Sequence, residues 1–316
     1  MAPPSTSLSR LGQINKAGNV DALFLKQFGG EILVEFNKNN VFKERHFVRQ
    51  ISNGKSAQFP LIGTVASAMH TPGDWIDGAS VGHAEMVISV DGLLIAPVFV
   101  AQLDELMNHY DVRGPYAEEI GRELAYRYDL NVARMGVLAA RTTVNALTGR
   151  PGGETIATAA MDTSSTVIAA ALFSAAQKFD EKDVPSADRN CFIEPAQFYL
   201  CAQNTSLINK DWGGAGSLSQ GSFETLAGIN IVKTNNLPQT NQAADAAVLA
   251  KYRGDYSNTM GLVMNRMAVG TVQLMDISLE TDREIRTQGT FMVGKMAVGT
   301  DKLRVECAIE LADIDP

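Results

Sequence analysis

Two glycine-rich segments have part of the spacing of a phosphate-binding loop, in which backbone amides and a lysine hold the phosphates of a nucleotide. Gly54–Ser56 has the required ending, but Arg49 occupies the position of the first glycine. Gly289–Lys295 has both glycines, but Met296 replaces the hydroxyl that would bind Mg²⁺. Both segments favour β structure over the helix N-terminus that a phosphate requires. The sequence therefore argues against nucleotide binding at either place.

The residues that most often hold metals or act as catalysts are scattered along the chain. The histidines show no spacing typical of metal ligands: they are His46, His70, His83 and His109. The cysteines are few and odd in number, which favours buried apolar positions in a reducing compartment: Cys191, Cys201 and Cys307. No pair of carboxylates stands out as an acid and base couple. We therefore expect no catalytic residue, no cofactor and no metal, and hence no enzyme.

Charge is distributed unevenly over the 316 residues, whose net charge is −8. Residues 1–55 carry eight Lys and Arg against four Asp and Glu, whereas residues 276–316 carry nine acidic against five basic residues. Opposite charge at the two ends suits contacts between copies of one chain, although chance variation of the surface is the alternative. The candidate intersubunit contacts are Lys43, Arg45, Arg49, Lys55, Glu306, Glu310 and Asp313. An alternative for the basic residues is contact with DNA.

The elements that would position these charges are unusual for an isolated domain. Residues 42–90 are rich in strand and turn residues and predict an extended β-hairpin with little core of its own. Residues 115–147 predict a helix of roughly 45 Å. Residues 151–261 predict an α/β unit, and strands follow it. The first residues lack the apolar core of a signal peptide, and the apolar stretch 167–176 is about half a membrane span, so no membrane contact is expected.

Several segments resemble the major capsid proteins of T-seven-like podoviruses, which are short-tailed phages with double-stranded DNA. The similar segments are LFLKQFGGEI (23–32), RHFVRQISNGKSAQFPLIG (45–63), VDGLL (90–94), MNHYDVR (107–113), VPSADR (184–189) and AVGTVQL (268–274). They follow the same order as in that family and span most of the chain. The block 45–63 is long and specific, whereas residues 151–261 are similar mainly in VPSADR.

The resemblance implies the α+β Hong Kong ninety-seven capsid fold and self-assembly as hexamers and pentamers into an icosahedral shell. It implies an N-terminal arm (1–41), an extended hairpin loop (42–90), a peripheral domain with a spine helix (91–150), an axial domain (151–261) and C-terminal strands that return to the peripheral domain (262–316). It also implies a scaffolding protein during assembly and a portal at one vertex. The shell would enclose double-stranded DNA without sequence-specific binding, and the virion would be assembled in the bacterial cytoplasm.

Two alternatives remain open at this point. An encapsulin-like nanocompartment has the same fold and also lacks an active site, but its shell surrounds a cargo enzyme. An enzyme with an unrecognised site is the alternative from a different class of protein.

Overall fold

Three α-helices and twelve strands lie wholly within the part of the chain that the structure, a computed structural model, describes: residues 34–36, 38–65, 67, 69–73, 75, 76, 78, 80–103, 113–204 and 225–314. The helices are α1 (Arg113–Ala140), α2 (Ser165–Glu181) and α3 (Pro195–Ala202). The strands are β1 (Phe47–Gln50), β2 (Ser56–Ile62), β3 (His83–Ser89), β4 (Gly92–Ala101), β5 (Glu154–Thr158), β6 (Arg189–Ile193), β7 (Thr225–Leu226), β8 (Ile229–Lys233), β9 (Thr259–Asn265), β10 (Val269–Glu284), β11 (Gly289–Lys302) and β12 (Ala308–Asp313).

The chain divides into two compact units, each built from several chain segments. Unit 1 comprises residues 1–40, 93–127 and 275–297, and unit 2 comprises residues 41–92, 128–274 and 298–316. The boundary between the units falls within α1, β4, β10 and β11. The charged residues singled out from the sequence all belong to unit 2.

The long predicted helix exists, but it ends seven residues before its predicted end at residue 147. The chain that follows it returns against its last turn, where the Gly153 N–H donates to the Thr142 carbonyl at 2.8 Å. A Cβ at Gly153 would lie 2.2 Å from the Ala139 carbonyl oxygen, so only glycine permits this approach. The returning segment therefore packs against the end of α1, and its Gly153 N–H satisfies a carbonyl just beyond the helix.

A mixed sheet of six strands forms the largest part of unit 2, in the order β5-β12-β9-β6-β8-β7. Strand β12 is parallel to β5 and antiparallel to β9. Its partners therefore come from residues 151–265, and the prediction that all C-terminal strands return to the peripheral domain is wrong for β12. A 3-10 turn at Val305–Cys307 precedes β12.

The hairpin has different partners from those predicted. Strand β2 pairs with β3 in antiparallel register, from Ser56 opposite Ser89 to Ile62 opposite His83. Strand β1 lies within the segment predicted as the hairpin, but it runs parallel to β10 instead. Strand β1 therefore belongs to a four-stranded sheet with the order β1-β10-β11-β4, and the hairpin proper begins at β2.

Candidate assembly surfaces

The two faces of the hairpin differ sharply in exposure. Along β2, Ala57, Phe59 and Leu61 are buried, while the alternating residues are exposed. Ala57 and Phe59 join a core cluster with Ile88, Val272 and Leu303. This alternation is the pattern of a strand that packs on one face. The base of the hairpin is therefore anchored in its own subunit, which corrects the prediction that this segment has little core.

The connection between β2 and β3 is different, because its large apolar side chains are exposed. Val65 is 64% exposed, Ile76 80%, Trp75 95% and Met69 100%. We call these four residues the apolar tip. Exposed clusters of large apolar side chains are characteristic of surfaces that bind another protein. The apolar tip is therefore the strongest candidate interaction surface in unit 2.

Strand β4 carries a second exposed apolar surface, in unit 1. Leu93, Ile95 and Phe99 alternate with less exposed residues, so their side chains lie on one face of the strand. In the described part of the four-stranded sheet, β4 is an edge strand. Natural proteins usually cover or charge such edges to prevent unwanted pairing. An apolar exposed face at an edge therefore fits a protein that associates with other copies.

The basic candidate residues fall into two groups. Arg49 and Lys55 are exposed, and the Arg49 guanidinium donates to the Gln58 carbonyl at 3.0 Å while it lies 5.5 Å from the centre of the Phe59 ring. Lys43 and Arg45 are half-buried, and Arg45 donates to the Val41 carbonyl at 2.6 Å. Arg49 and Lys55 are thus the basic candidates with the most solvent-accessible charge.

Two of the three acidic candidates are buried inside their own subunit. The Glu306 carboxylate accepts a hydrogen bond from Asn145 at 2.7 Å, and Glu310 is fully buried. Asp313 is half-buried and accepts from the Met161 N–H at 3.3 Å. Because a carboxylate enclosed in its own subunit cannot meet a neighbour's cation, the structure corrects the prediction for Glu306 and Glu310.

Glu310 instead forms a bidentate ion pair with Arg141, which follows the end of α1. Arg141 Nε donates to Oε2 at 2.7 Å, and its Nη2 donates to Oε1 at 2.6 Å. The Thr259 hydroxyl donates to Oε1 at 2.7 Å, and that of Thr155 donates to Oε2 at 3.3 Å. The hydrogen bonds to Glu310 raise the pKa of Arg141 above its ordinary value. The pair ties the end of the helix to β5, β9 and β12.

Residues Gly78–Gly82 have the Gly-x-Ser-x-Gly spacing of a hydrolase nucleophile elbow. Such an elbow joins a strand to a helix, which exposes the serine at a strained turn. Here the motif lies in the connection between two antiparallel strands, β2 and β3. The local structure therefore does not support a nucleophilic serine.

Other features of the described residues also lack catalytic geometry. No group of three or more His, Cys, Asp or Glu side chains is placed to hold a metal ion. The cysteines are buried, and burial raises the pKa of Cys201 to about 11 and that of Cys307 to about 12. Burial also raises the pKa of Cys191. The thiols are therefore protonated near neutral pH and act as apolar core groups, as predicted. None of the described helices combines the length and apolarity needed to span a bilayer.

Comparison with known proteins identifies the family. A family model described as Gp10A-like, major capsid protein, matches residues 58–312. The chain belongs to this family. The major capsid protein of Escherichia phage T7 is 32% identical over 317 residues, an alignment that covers 92% of this chain and 92% of the T7 protein.

Solved capsid structures agree with this family. The capsid of the cyanophage P-SCSP1u is similar with a TM-score of 0.80 and 44% identity, over 99% of this chain and 100% of that one. The mature capsid of bacteriophage PhiM1 shares the fold at 16% identity, with a TM-score of 0.75 over 88% of each chain. The expected α+β fold of Hong Kong ninety-seven-like phage capsids is therefore confirmed at the level of the whole chain.

Membership of the family decides between the alternatives that the sequence left open. The Gp10A-like protein is a major capsid protein, so it is a structural component of the virion of a T7-like phage and not an enzyme. Because a capsid is built from repeated copies of its major protein, the chain functions as a homo-oligomer. The exposed apolar surfaces are consistent with that function.

Proposed function

We propose that the Gp10A-like protein assembles as hexamers and pentamers into an icosahedral shell that encloses a double-stranded DNA genome without sequence-specific binding. A scaffolding protein assists assembly, and a portal occupies one vertex. Family membership supports this architecture, and the observation that carries it is the apolar tip. Its four large side chains have little contact with their own subunit, and a shell supplies a neighbouring copy to cover them.

We also propose which part of the capsid subunit each element forms. Helix α1 acts as the spine of a peripheral domain, and the six-stranded sheet forms an axial domain that surrounds the local symmetry axis. The segment 63–82 acts as the end of the extended loop. The arm at residues 1–41 falls largely outside the described residues. Each contact can be weak, because many contacts per subunit reinforce one another through effective concentration.

The apolar tip contacts a second copy of the chain, where its side chains become buried. Burial of apolar surface contributes about 25 cal/mol per Å², so four large side chains supply a substantial part of one intersubunit contact. The hairpin base holds the tip in place, because Ala57 and Phe59 pack on Ile88, Val272 and Leu303. The hairpin thus has a base that is fixed in its own subunit and an exposed end that binds a neighbouring subunit.

The shell proposal is tested by replacing Trp75 and Ile76 together with serine. We expect the variant to remain folded by circular dichroism, because both side chains are exposed, and to lose shells in electron micrographs after co-expression with the scaffolding protein. Val144→Ser is the matched control, since Val144 is 77% exposed on a different loop of unit 2. Normal shells from the tip variant would contradict the role of the tip. A wild-type chain that stays monomeric with its scaffolding protein would contradict shell formation itself.

We propose that Arg49 and Lys55 steer the approach of subunits rather than contacting DNA. Individual exposed charges contribute about 0–1 kcal/mol, but complementary fields accelerate association. Reversal of both charges to glutamate is expected to slow assembly of empty shells severalfold at low salt. The difference should diminish at about 1 M salt, where the Debye length is about 3 Å. Arg286→Glu, at another exposed arginine, is the control.

Assembly in the absence of DNA separates the two interpretations of these charges. Normal kinetics of empty-shell assembly, combined with defective retention of packaged DNA, would show that Arg49 and Lys55 face the genome. Slower assembly of empty shells would show that they face another subunit.

A further inference from the structure

Phe42 is held by two titratable side chains, which bind its backbone N–H and its backbone carbonyl. The N–H donates to Asp129 Oδ1 at 3.2 Å, and the carbonyl accepts from His46 Nδ1 at 2.6 Å. The phenyl ring is fully buried and stacks on Phe192, with 4.0 Å between the ring centroids. The chain is therefore fixed at this residue through both its backbone and its side chain, just before β1.

Asp129 is a fully buried carboxylate on α1. It also accepts from the Val41 N–H at 2.8 Å and from Asn236 Nδ2 at 2.9 Å. Among the described residues no cation forms an ion pair with it, and the charge of Arg45 has only a minor influence. Burial without a paired cation disfavours the charged form, so the pKa of Asp129 rises from 3.8 to about 6.

His46 is also buried, and its hydrogen bonds define which ring nitrogen carries the proton. Because Nδ1 donates to the Phe42 carbonyl at 2.6 Å, Nε2 of the neutral ring is an acceptor, and the hydroxyl oxygens of Thr271 and Tyr128 lie 2.9 Å and 3.2 Å from it. Burial disfavours the imidazolium form, and the nearby charge of Arg266 acts in the same direction. The pKa of His46 therefore falls from 6.5 to about 4.

The two groups change stability with pH in opposite directions. Asp129 binds its proton more tightly in the folded state, so its contribution to stability grows as pH falls from about 6 towards 3.8. His46 binds its proton more tightly in the unfolded state, so its contribution is lost as pH falls from 6.5 towards about 4. In this window the folded chain carries a proton on Asp129, whereas the unfolded chain carries one on His46.

We propose that Asp129 and His46 form a proton-compensated anchor at Phe42, in which acidification changes the stability contributed by one group in the opposite sense to that contributed by the other. The anchor follows from the arrangement of two buried groups of opposite type around one residue. Among the described residues, the other titratable or charged groups that act on these two are Arg45, Tyr128 and Arg266. The anchor is a property of the single subunit, so it does not depend on the proposed shell.

Equilibrium unfolding of the full chain at pH 7 and pH 4.5 tests the compensation. Between these two conditions, the unfolding constant of His46→Gln is expected to fall roughly 60-fold relative to wild type, and that of Asp129→Asn to rise roughly 25-fold, as the two displaced pKa values require. His83→Gln and Asp162→Asn alter exposed residues of the same types and serve as matched controls. They should follow wild type.

A second measurement needs no substitution. Nuclear magnetic resonance titration of the folded wild-type chain is expected to show a His46 ring that stays neutral down to about pH 4. A His46 ring that titrates near 6.5 would overturn the proposal. The proposal would also be overturned if the unfolding constants of His46→Gln and Asp129→Asn changed in the same direction between pH 7 and pH 4.5, relative to wild type. Changes no larger than those of the control variants would overturn it as well. If Asp129→Asn does not fold, His46→Gln and the titration still decide the question.

Discussion

Arg141→Met is expected to lower the free energy of unfolding of the subunit by about 3–5 kcal/mol, because it leaves the buried Glu310 carboxylate without its cation. Glu310 has no exposed surface, and Arg141 contacts both of its oxygens. The remaining donors, Thr155 and Thr259, are neutral hydroxyls that cannot balance the charge. Urea denaturation of the purified subunit, followed by circular dichroism, measures the loss.

Two further variants separate the cost of an unpaired charge from loss of the arginine side chain. Arg127→Met removes an arginine from an exposed pair with Glu123 on the same helix, where about 0–0.5 kcal/mol is expected. The double variant Arg141→Met with Glu310→Met removes both buried charges and should recover most of the stability. A single variant as stable as wild type would show that Glu310 is not enclosed as described.

Leu124→Ala is expected to lower the free energy of unfolding by about 2–5 kcal/mol, because it leaves a cavity beneath α1. Leu124 is buried together with Ile120 on the face that meets β11. At Gly294 of that strand, a Cβ would lie 3.3 Å from Leu124 Cδ1 and 2.5 Å from Ile120 Cγ2. The glycine thus allows the strand to approach the helix closely. Thermal or urea denaturation of the subunit measures the effect.

The control for Leu124→Ala is Leu93→Ala, which shortens an exposed leucine in the same unit. Its expected effect on subunit stability is within about 0.5 kcal/mol. An equal denaturation midpoint for the two variants would refute the packing of Leu124. Leu138 is half-buried and lies near Gly254, so it is a poorer probe.

Patterns local in sequence predicted several elements correctly. The helix predicted at residues 115–147 exists over Arg113–Ala140. The turn residues also correctly predicted a hairpin, but β1 is not part of it and pairs with β10. A turn of four residues permits a hairpin, yet the pairing depends on which strand buries Phe47 best. That choice involves β10, more than two hundred residues further along the chain.

The candidate interaction surfaces likewise depend on contacts that the sequence does not specify. The charges of Glu306 and Glu310 were evident from the sequence, but their burial depends on Asn145 and Arg141, which lie more than 150 residues away in the chain. The apolar tip contained visible apolar residues, yet a Trp in a sequence is buried more often than exposed. Only the structure showed that Trp75 is uncovered.

The sequence was enough to predict the family, the α+β class and a long helix, but it could not exclude a nucleophilic serine in the Gly78–Gly82 motif. The family and its fold class came from the resemblance of several segments to T-seven-like capsid proteins, whereas the helix follows from residue types and spacings within a few turns. The tertiary structure alone decided that β12 completes the six-stranded sheet, that Glu310 is enclosed with Arg141, and that Asp129 and His46 meet at Phe42. Each of these contacts joins segments that are far apart in the chain. Residue type does not specify the partner across such distances, because many donors or strands of the same type could form the contact.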